Sequence, residues 1–226
     1  MTTRPASSTA AGSSLFSVPH PRNPNFTGRD RLIDSLHNSL TGRDSAARVQ
    51  AVYGMGGVGK SHLALEYAHR HRDDYGIVWW VSAEDPATAS LHLARLANRL
   101  GIQTPGEVSP VAMRDALQRE LGKRNDWLLI FDNASGPEDL APLLPAERTG
   151  AVLITSRNPN WGSLAQSFCL RVLERSDSIA FLQRRTGLSN ADGSAGKLAQ
   201  ALGDLPLALE QAGATCLLYT SDAADE

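Results

Sequence analysis

The chain has 226 residues, 42% of them hydrophobic and 20% charged, and 22 basic against 24 acidic side chains leave a formal net charge of −2. That is enough apolar sequence for one large domain or two small ones, and too even a charge to draw the whole chain to nucleic acid or an anionic membrane. The longest apolar runs, Ile77–Val81 and Trp127–Phe131, hold five residues each, whereas a membrane-spanning helix needs roughly 20. Two cysteines, Cys169 and Cys216, offer neither a disulfide framework nor zinc spacing. The Ser/Thr/Ala-rich start lacks the apolar stretch of a secretory signal, so a cytoplasmic protein is expected.

In chain order, residues 1–18 read as a disordered segment, because so polar a composition cannot bury enough surface to offset ordering. Val18–Asn25 carries three prolines in eight residues and reads as a rigid, extended approach. Leu32, Ile33, Leu36 and Leu40 fall at helical spacing and predict a helix over Asp30–Leu40, followed by a loop at 41–47. From Arg48 onward, compact apolar runs at Val49–Tyr53, Ile77–Ser82, Trp127–Asp132 and Ala151–Thr155 alternate with helical stretches at Lys60–Arg72, Ala87–Leu100 and Val111–Gly122. Phe168–Val172 adds a fifth strand. Strands apolar on both faces, alternating with helices, predict an α/β fold: a five-stranded, mostly parallel sheet sandwiched by helices.

Beyond that sheet the strands stop. Ser176 is placed as the N-cap of a helix reaching about Arg185, Lys197–Leu202 makes a second helix ended by Gly203, and Pro206 opens a third over Leu207–Ala214. The predicted organisation is an α/β domain at 19–165 and, over 166–215, the last strand and the start of a small helical subdomain. The last eleven residues, Cys216–Glu226, resemble the conceptual translation of a transposase mosaic-end sequencing adapter. They are set aside as an artefact of 216–226, with the biological sequence expected to be a fragment ending near Thr215.

Gly54-Met55-Gly56-Gly57-Val58-Gly59-Lys60-Ser61 satisfies the phosphate-loop pattern G-x-x-x-x-G-K-[ST], with an apolar strand before it and good helix formers after it. Glycines at 54, 56, 57 and 59 let the backbone wrap closely and aim N–H groups at phosphates, and the helix N-terminus adds partial positive charge. Lys60 is expected to reach the β- and γ-phosphates, and the Ser61 hydroxyl to ligate Mg²⁺. Val58 and His62 join the residues expected around the phosphates. Asp132, at the end of a buried strand, is expected to hold Mg²⁺ through water, and Arg157, after another, to sense the γ-phosphate as a charged fork. The bound group is therefore ATP or ADP with Mg²⁺. His62, His69 and His71 have no spacing that makes a metal face, and they read as solvated or packing histidines. Trp79 and Trp80 read as sheet core and Cys169 as a small core residue. Arg70, Arg72, Arg184 and Arg185 read as solvated helix faces.

Together these motifs resemble the NB-ARC branch of the STAND class, signal-transduction ATPases that act as nucleotide-driven switches. The resemblance covers roughly Pro19–Ala214. Phe26-Thr27-Gly28-Arg29-Asp30 is similar to the family's motif beside the adenine, which implies nucleotide contacts from Phe26, Gly28 and Arg29. Gly54–Ser61 resembles its Walker A, Trp127–Asp132 its Walker B, and Ile154-Thr155-Ser156-Arg157 its sensor-1 segment, whose arginine contacts the γ-phosphate. Gly203-Asp204-Leu205-Pro206-Leu207-Ala208 is similar to GLPLA with one residue altered, which implies a base contact from Pro206.

The chain departs from the family pattern directly after the Walker B aspartate, where many relatives carry a second acid and this one carries Asn133, which cannot act as a base. Mg-dependent hydrolysis is then expected to be slow, or to use another group, and the spacing of Glu138 and Asp139 does not decide between them. The winged-helix segment and sensor repeats of the family are absent from this sequence. The resemblance implies a switch in which nucleotide exchange or slow hydrolysis controls conformation and self-association or effector binding through further regions, with no membrane and no direct nucleic-acid contact. Two alternatives remain open: a conventional ATPase doing mechanical work, and the nucleotide-sensing module of a transcription regulator.

Overall fold

The computed structural model describes residues 14–42, 48–103, 109–189 and 192–222. Its centre is one sheet of six strands: β1 (Leu15–Ser17), β2 (Val49–Tyr53), β3 (Ile77–Ser82), β4 (Trp127–Ala134), β5 (Ala151–Ser156) and β6 (Gln166–Cys169). They lie in the order β1-β3-β4-β5-β2-β6, and every neighbouring pair is parallel. The helices are α1 (Asp30–Thr41), α2 (Lys60–Arg70), α3 (Pro86–Arg99), α4 (Pro110–Gly122), α5 (Pro137–Leu140), α6 (Arg175–Thr186), α7 (Ser194–Ala201) and α8 (Pro206–Asp222).

Alternation along the strands explains why both faces are apolar. Ile77, Trp79, Trp127, Leu129, Phe131, Val152 and Ile154 point to one face and pack with Leu93 and Leu96 of α3 and Leu117 and Leu121 of α4. The intervening Val78, Leu128, Ile130 and Leu153 point to the other, against Ile33 and Leu36 of α1 and Leu63 and Tyr67 of α2. Each aliphatic side chain so buried contributes about 1.5–3 kcal/mol. A separate cluster of Leu173, Phe181, Leu182, Ala199 and Leu209 holds α6, α7 and α8 together as the helical subdomain. Among the described residues, no helix is long and apolar enough to cross a membrane.

The α/β architecture agrees with the sequence, but several details differ. The sheet has six strands, not five, and is parallel throughout. The additional strand, β1, lies in the stretch expected to be disordered, most of which falls outside the described residues. Leu15 and Phe16 pair with Ile77 and Val78 at the sheet edge, and their side chains reach the two opposite cores. Three residues are too few for a periodicity to register, and the ordering comes from β3. The last strand sits at Gln166–Cys169 rather than Phe168–Val172, because its pairing with Gln50–Tyr53 sets the register. It leaves Cys169 exposed, not in the core. Glu174, in extended conformation, and not Ser176, occupies the N-cap of α6. The α7 helix starts three residues early, at Ser194. The α8 helix runs on to Asp222, past Ala214 and into the set-aside tail, whose run to Asp222 holds no glycine or proline to end it. Of the expected loop at 41–47, Thr41 closes α1 and 43–47 lie outside the described residues.

Candidate nucleotide-binding site

Because all the strands run the same way, β2, β4 and β5 deliver their C-terminal ends to one rim, where open parallel sheets bind ligands. The phosphate loop links β2 to α2. Gly59 occupies the N-cap of α2 at φ 93°, and Gly57 takes φ 76°, conformations that side chains with a Cβ rarely adopt. A Cβ on Gly57 would also stand 3.0 Å from Leu207 Cβ. The loop thus has a close neighbour in α8.

Lys60 Nζ donates to the carbonyl oxygens of Gly54 at 3.0 Å and Met55 at 2.9 Å. Burial, together with the charge of Arg157, holds its ammonium below the usual lysine value, with Asp132 opposing. Asp132 Oδ1 accepts two hydroxyls at 2.6 Å, one from Ser61 and one from Thr155. Thr155 in turn accepts the Asn133 N–H at 2.9 Å. This arrangement follows from strand order: β5 lies between β2 and β4, so its Thr155 stands beside the Asp132 strand end. Asn133 is exposed at φ 61°, where the β4–β5 pairing shifts register.

These residues line a cavity of about 700 Å³, within the range of small-molecule sites. Gly56, Gly57, Gly59, Lys60, Ser61 and His62 form one wall, with Asp132, Asn133, Thr155 and Arg157 at its strand-end side. Phe26, Thr27 and Arg29, with Asn23 and Asn25, also line the cavity, as do Leu173, Phe181, Pro206, Leu207 and Glu210 of the helical subdomain. Arg29, itself at φ 68°, donates to the carbonyls of Val58 at 2.8 Å and Arg171 at 3.1 Å. Burial pushes its guanidinium down to about 10, against the pull of Asp177.

Three predicted residues do not line the cavity. Gly54 holds Lys60 through its carbonyl, Val58 points its side chain into the core, and Gly28 packs against Asp177. Glu138 and Asp139 are exposed on α5, also outside the lining. Sequence reasoning assigned no role to Thr155. Its signal was a hydroxyl at the end of an otherwise apolar strand. A second hollow of about 760 Å³ beside α4 is lined by Asp115, Arg119, Lys123 and Glu147, whose charges balance, and it has no glycine-rich turn.

Two further readings become more specific. Arg70, Arg72, Arg184 and Arg185 are not simply solvated: they engage Glu66 and Asp30, the Phe16 ring, the Phe26 carbonyl, and Glu210, respectively. His71 meets His37 and Asp74, with donor atoms within 4.8 Å of one another. The two imidazoles stack at 3.8 Å with planes 11° apart. Planes so nearly parallel meet only far outside the two rings, whereas a shared metal would lie in both planes close to its ligands, so His71 acts as a packing residue. Trp79 is buried in the core, and Trp80 packs against the opposite cluster, as the sequence indicates.

The NB-ARC domain family matches residues 29–192, most of the chain. This chain belongs to the NB-ARC family. It is a nucleotide-binding module. It is 31% identical to a nucleotide-binding leucine-rich repeat (NLR)-like protein of Hyaloscypha variabilis, over 88% of this chain and 23% of that protein. It is 33% identical to the regulatory protein AfsR of Streptomyces griseus, over 59% of this chain and 14% of that one. The chain therefore spans less than a quarter of these relatives. Among solved structures, a STAND protein with a tetratricopeptide repeat sensor from Pyrococcus horikoshii aligns with TM-score 0.59 at 21% identity, covering 84% of this chain and 30% of that one. Cdc6p from Pyrobaculum aerophilum aligns with TM-score 0.60 at 14% identity, over 85% and 62% of the two chains. At such identities these structures speak for the NB-ARC chain's fold alone.

Proposed function

We propose that this NB-ARC chain is a switch module in which exchange of ADP for ATP, or slow hydrolysis, changes how the helical subdomain sits on the P-loop domain. Its unit boundaries would be 19–165 for the nucleotide domain and 166–215 for the last strand and subdomain. The output would be self-association or effector binding through regions beyond 215, in the cytoplasm. The observation that carries this reading is a direct contact between the two parts: the Leu207 N–H, in the first turn of α8, donates to the Gly57 carbonyl at 3.2 Å. Pro206 and Leu207 also line the same cavity as Lys60 and Ser61. A ligand in that cavity touches both parts, and it can bias their arrangement by as much as its affinity differs between them.

The donor set fits a Mg-nucleotide. Ser61 Oγ and Asp132 Oδ1 are oxygen ligands already 2.6 Å apart, suited to a hard cation that they would hold directly or through water. Mg²⁺ supplies charge neutralisation across the phosphates. Lys60 would exchange its two loop carbonyls for phosphate oxygens, Arg157 would pair with the γ-phosphate, and Phe26, Arg29 and Pro206 would face the nucleoside. Gly54 and Val58 would contribute through their backbone, and Gly28 through the turn it makes. Asn133 offers no base, which favours a slow cycle over a work-performing ATPase. The similarity to a protein named as regulatory supports the module working inside a larger regulator.

The test is the nucleotide released by acid from the purified full chain, with Lys60→Ala alongside. Near-stoichiometric ADP from the wild type, and none from the folded variant, is the expected result. A folded wild-type chain that carries no nucleotide and shows no ATP binding by calorimetry overturns the reading.

A further inference from the structure

Glu66 lies on α2 beyond the phosphate loop and is 2% exposed. A buried carboxylate is costly unless its oxygens are paired, and these are paired fully. Arg22 Nη2 donates to Oε1 at 2.8 Å, Arg22 Nε reaches Oε2 at 3.1 Å, and Arg70 Nε reaches Oε1 at 2.6 Å. Arg70 then extends the network, donating from Nη1 to Asp30 Oδ1 at 2.6 Å in the first turn of α1. Its guanidinium carbon also lies 5.7 Å from the centroid of the Phe26 ring.

Residues 18–29 contain no helix or strand, so side-chain anchors must set the path of this segment. Glu66 grips its beginning through Arg22 and its end through Arg70 and Asp30. Phe26, Thr27 and Arg29 lie between those anchors and line the same cavity as Lys60 and Ser61. Glu66 itself does not line the cavity.

We propose that Glu66 is a positioning residue which, through Arg22 and Arg70, aligns the 23–29 wall against the nucleoside half of a bound nucleotide. This rests on the nucleotide reading above and adds a residue that acts on the base side without touching the ligand. The phosphate half is held by the loop backbone and Lys60, which the Glu66 network does not touch directly; among the described residues the wall hydrogen-bonds to the loop only through Arg29, which donates to the Val58 carbonyl. Glu66→Gln therefore separates two affinities that a general loss of structure would lower together.

The experiment measures dissociation constants of the full chain for ADP and for inorganic tripolyphosphate by calorimetry, in the wild type, Glu66→Gln and Arg22→Gln. Arg22→Gln removes an exposed partner and leaves Glu66 paired with Arg70, so it provides a folded variant if Glu66→Gln is unstable. ADP binding is expected to weaken about tenfold in Glu66→Gln, the scale of one lost charge-assisted hydrogen bond. A smaller loss is expected in Arg22→Gln, with tripolyphosphate affinity within about twofold of wild type in both. Equal weakening of both probes, or unchanged ADP affinity in folded variants, overturns the proposal. A wild-type chain that binds neither probe overturns the nucleotide reading and this proposal with it.

Discussion

Thr155→Val is the sharpest test of how the strand ends are assembled. Thr155 is 1% exposed, and its hydroxyl both donates to Asp132 Oδ1 and accepts the Asn133 N–H. Valine keeps the shape but ends both bonds. Loss of a hydrogen bond to a charged group costs about 1.5–3 kcal/mol. Asn133 is an exposed residue, so water is the replacement partner for its N–H, and the extra buried methyl returns about 0.8 kcal/mol. The net expectation is a destabilisation of about 1–2 kcal/mol, which for a chain of this size lowers Tm by about 2–8 °C. Asp132 would then keep Ser61 as its one hydroxyl partner of the two. ATP affinity in the presence of Mg²⁺ should fall while Mg-free affinity stays level. Thermal unfolding and calorimetry with and without Mg²⁺ measure both effects. An unchanged Tm together with unchanged Mg²⁺ dependence would refute the claim that Thr155 holds Asp132.

Two further outcomes follow from the same geometry. Burial pushes the Glu66 carboxyl up, but the hydrogen bonds from Arg22 and Arg70 outweigh it and leave the group below its usual value. With the folded value depressed, its contribution to stability is present above the unfolded value and is lost as pH falls through the folded one, below about 4.5. Chemical unfolding across pH 3–6 should show a shallower acid limb in Glu66→Gln than in wild type, and parallel limbs would count against the network. Cys169 is exposed, so a thiol reagent should modify it in the native chain, with the fast phase absent in Cys169→Ala; protection until unfolding would contradict the placement of β6.

Much of the fold was legible because it rests on short-range patterns. The strands at Val49–Tyr53 and Ile77–Ser82 and the helix opening at Lys60 lie where continuous apolar runs and helical spacing put them. Their burial on both faces is what makes the pattern so strong. The elements that were misjudged owe their structure to a partner. Leu15–Ser17 is a strand because β3 offers an edge, and Cys169 is exposed because β6 pairs one residue at a time with β2. Ser176 carries a good capping side chain, yet the chain enters α6 from Glu174. In the candidate site, Lys60, Ser61, Asp132 and Arg157 share one cavity lining, and each follows a glycine-rich turn or lies near the C-terminal end of a buried strand, a pattern the sequence carries. Glu66 and Arg22 carry no such local mark, and Thr155 only a hydroxyl near the end of its strand.

The sequence by itself determined the α/β class, the phosphate loop and the family resemblance, because those depend on residue types at fixed spacing along one segment. Tertiary structure decided which groups meet. Inserting β5 between β2 and β4 brings Thr155 to Asp132, and packing α8 on the loop brings Leu207 to Gly57. Folding the 22–30 segment across α2 brings Arg22 and Asp30 into one network around Glu66 and Arg70. Those partners stand up to 150 residues apart in the chain, and no local periodicity encodes a contact that only strand order and helix packing create.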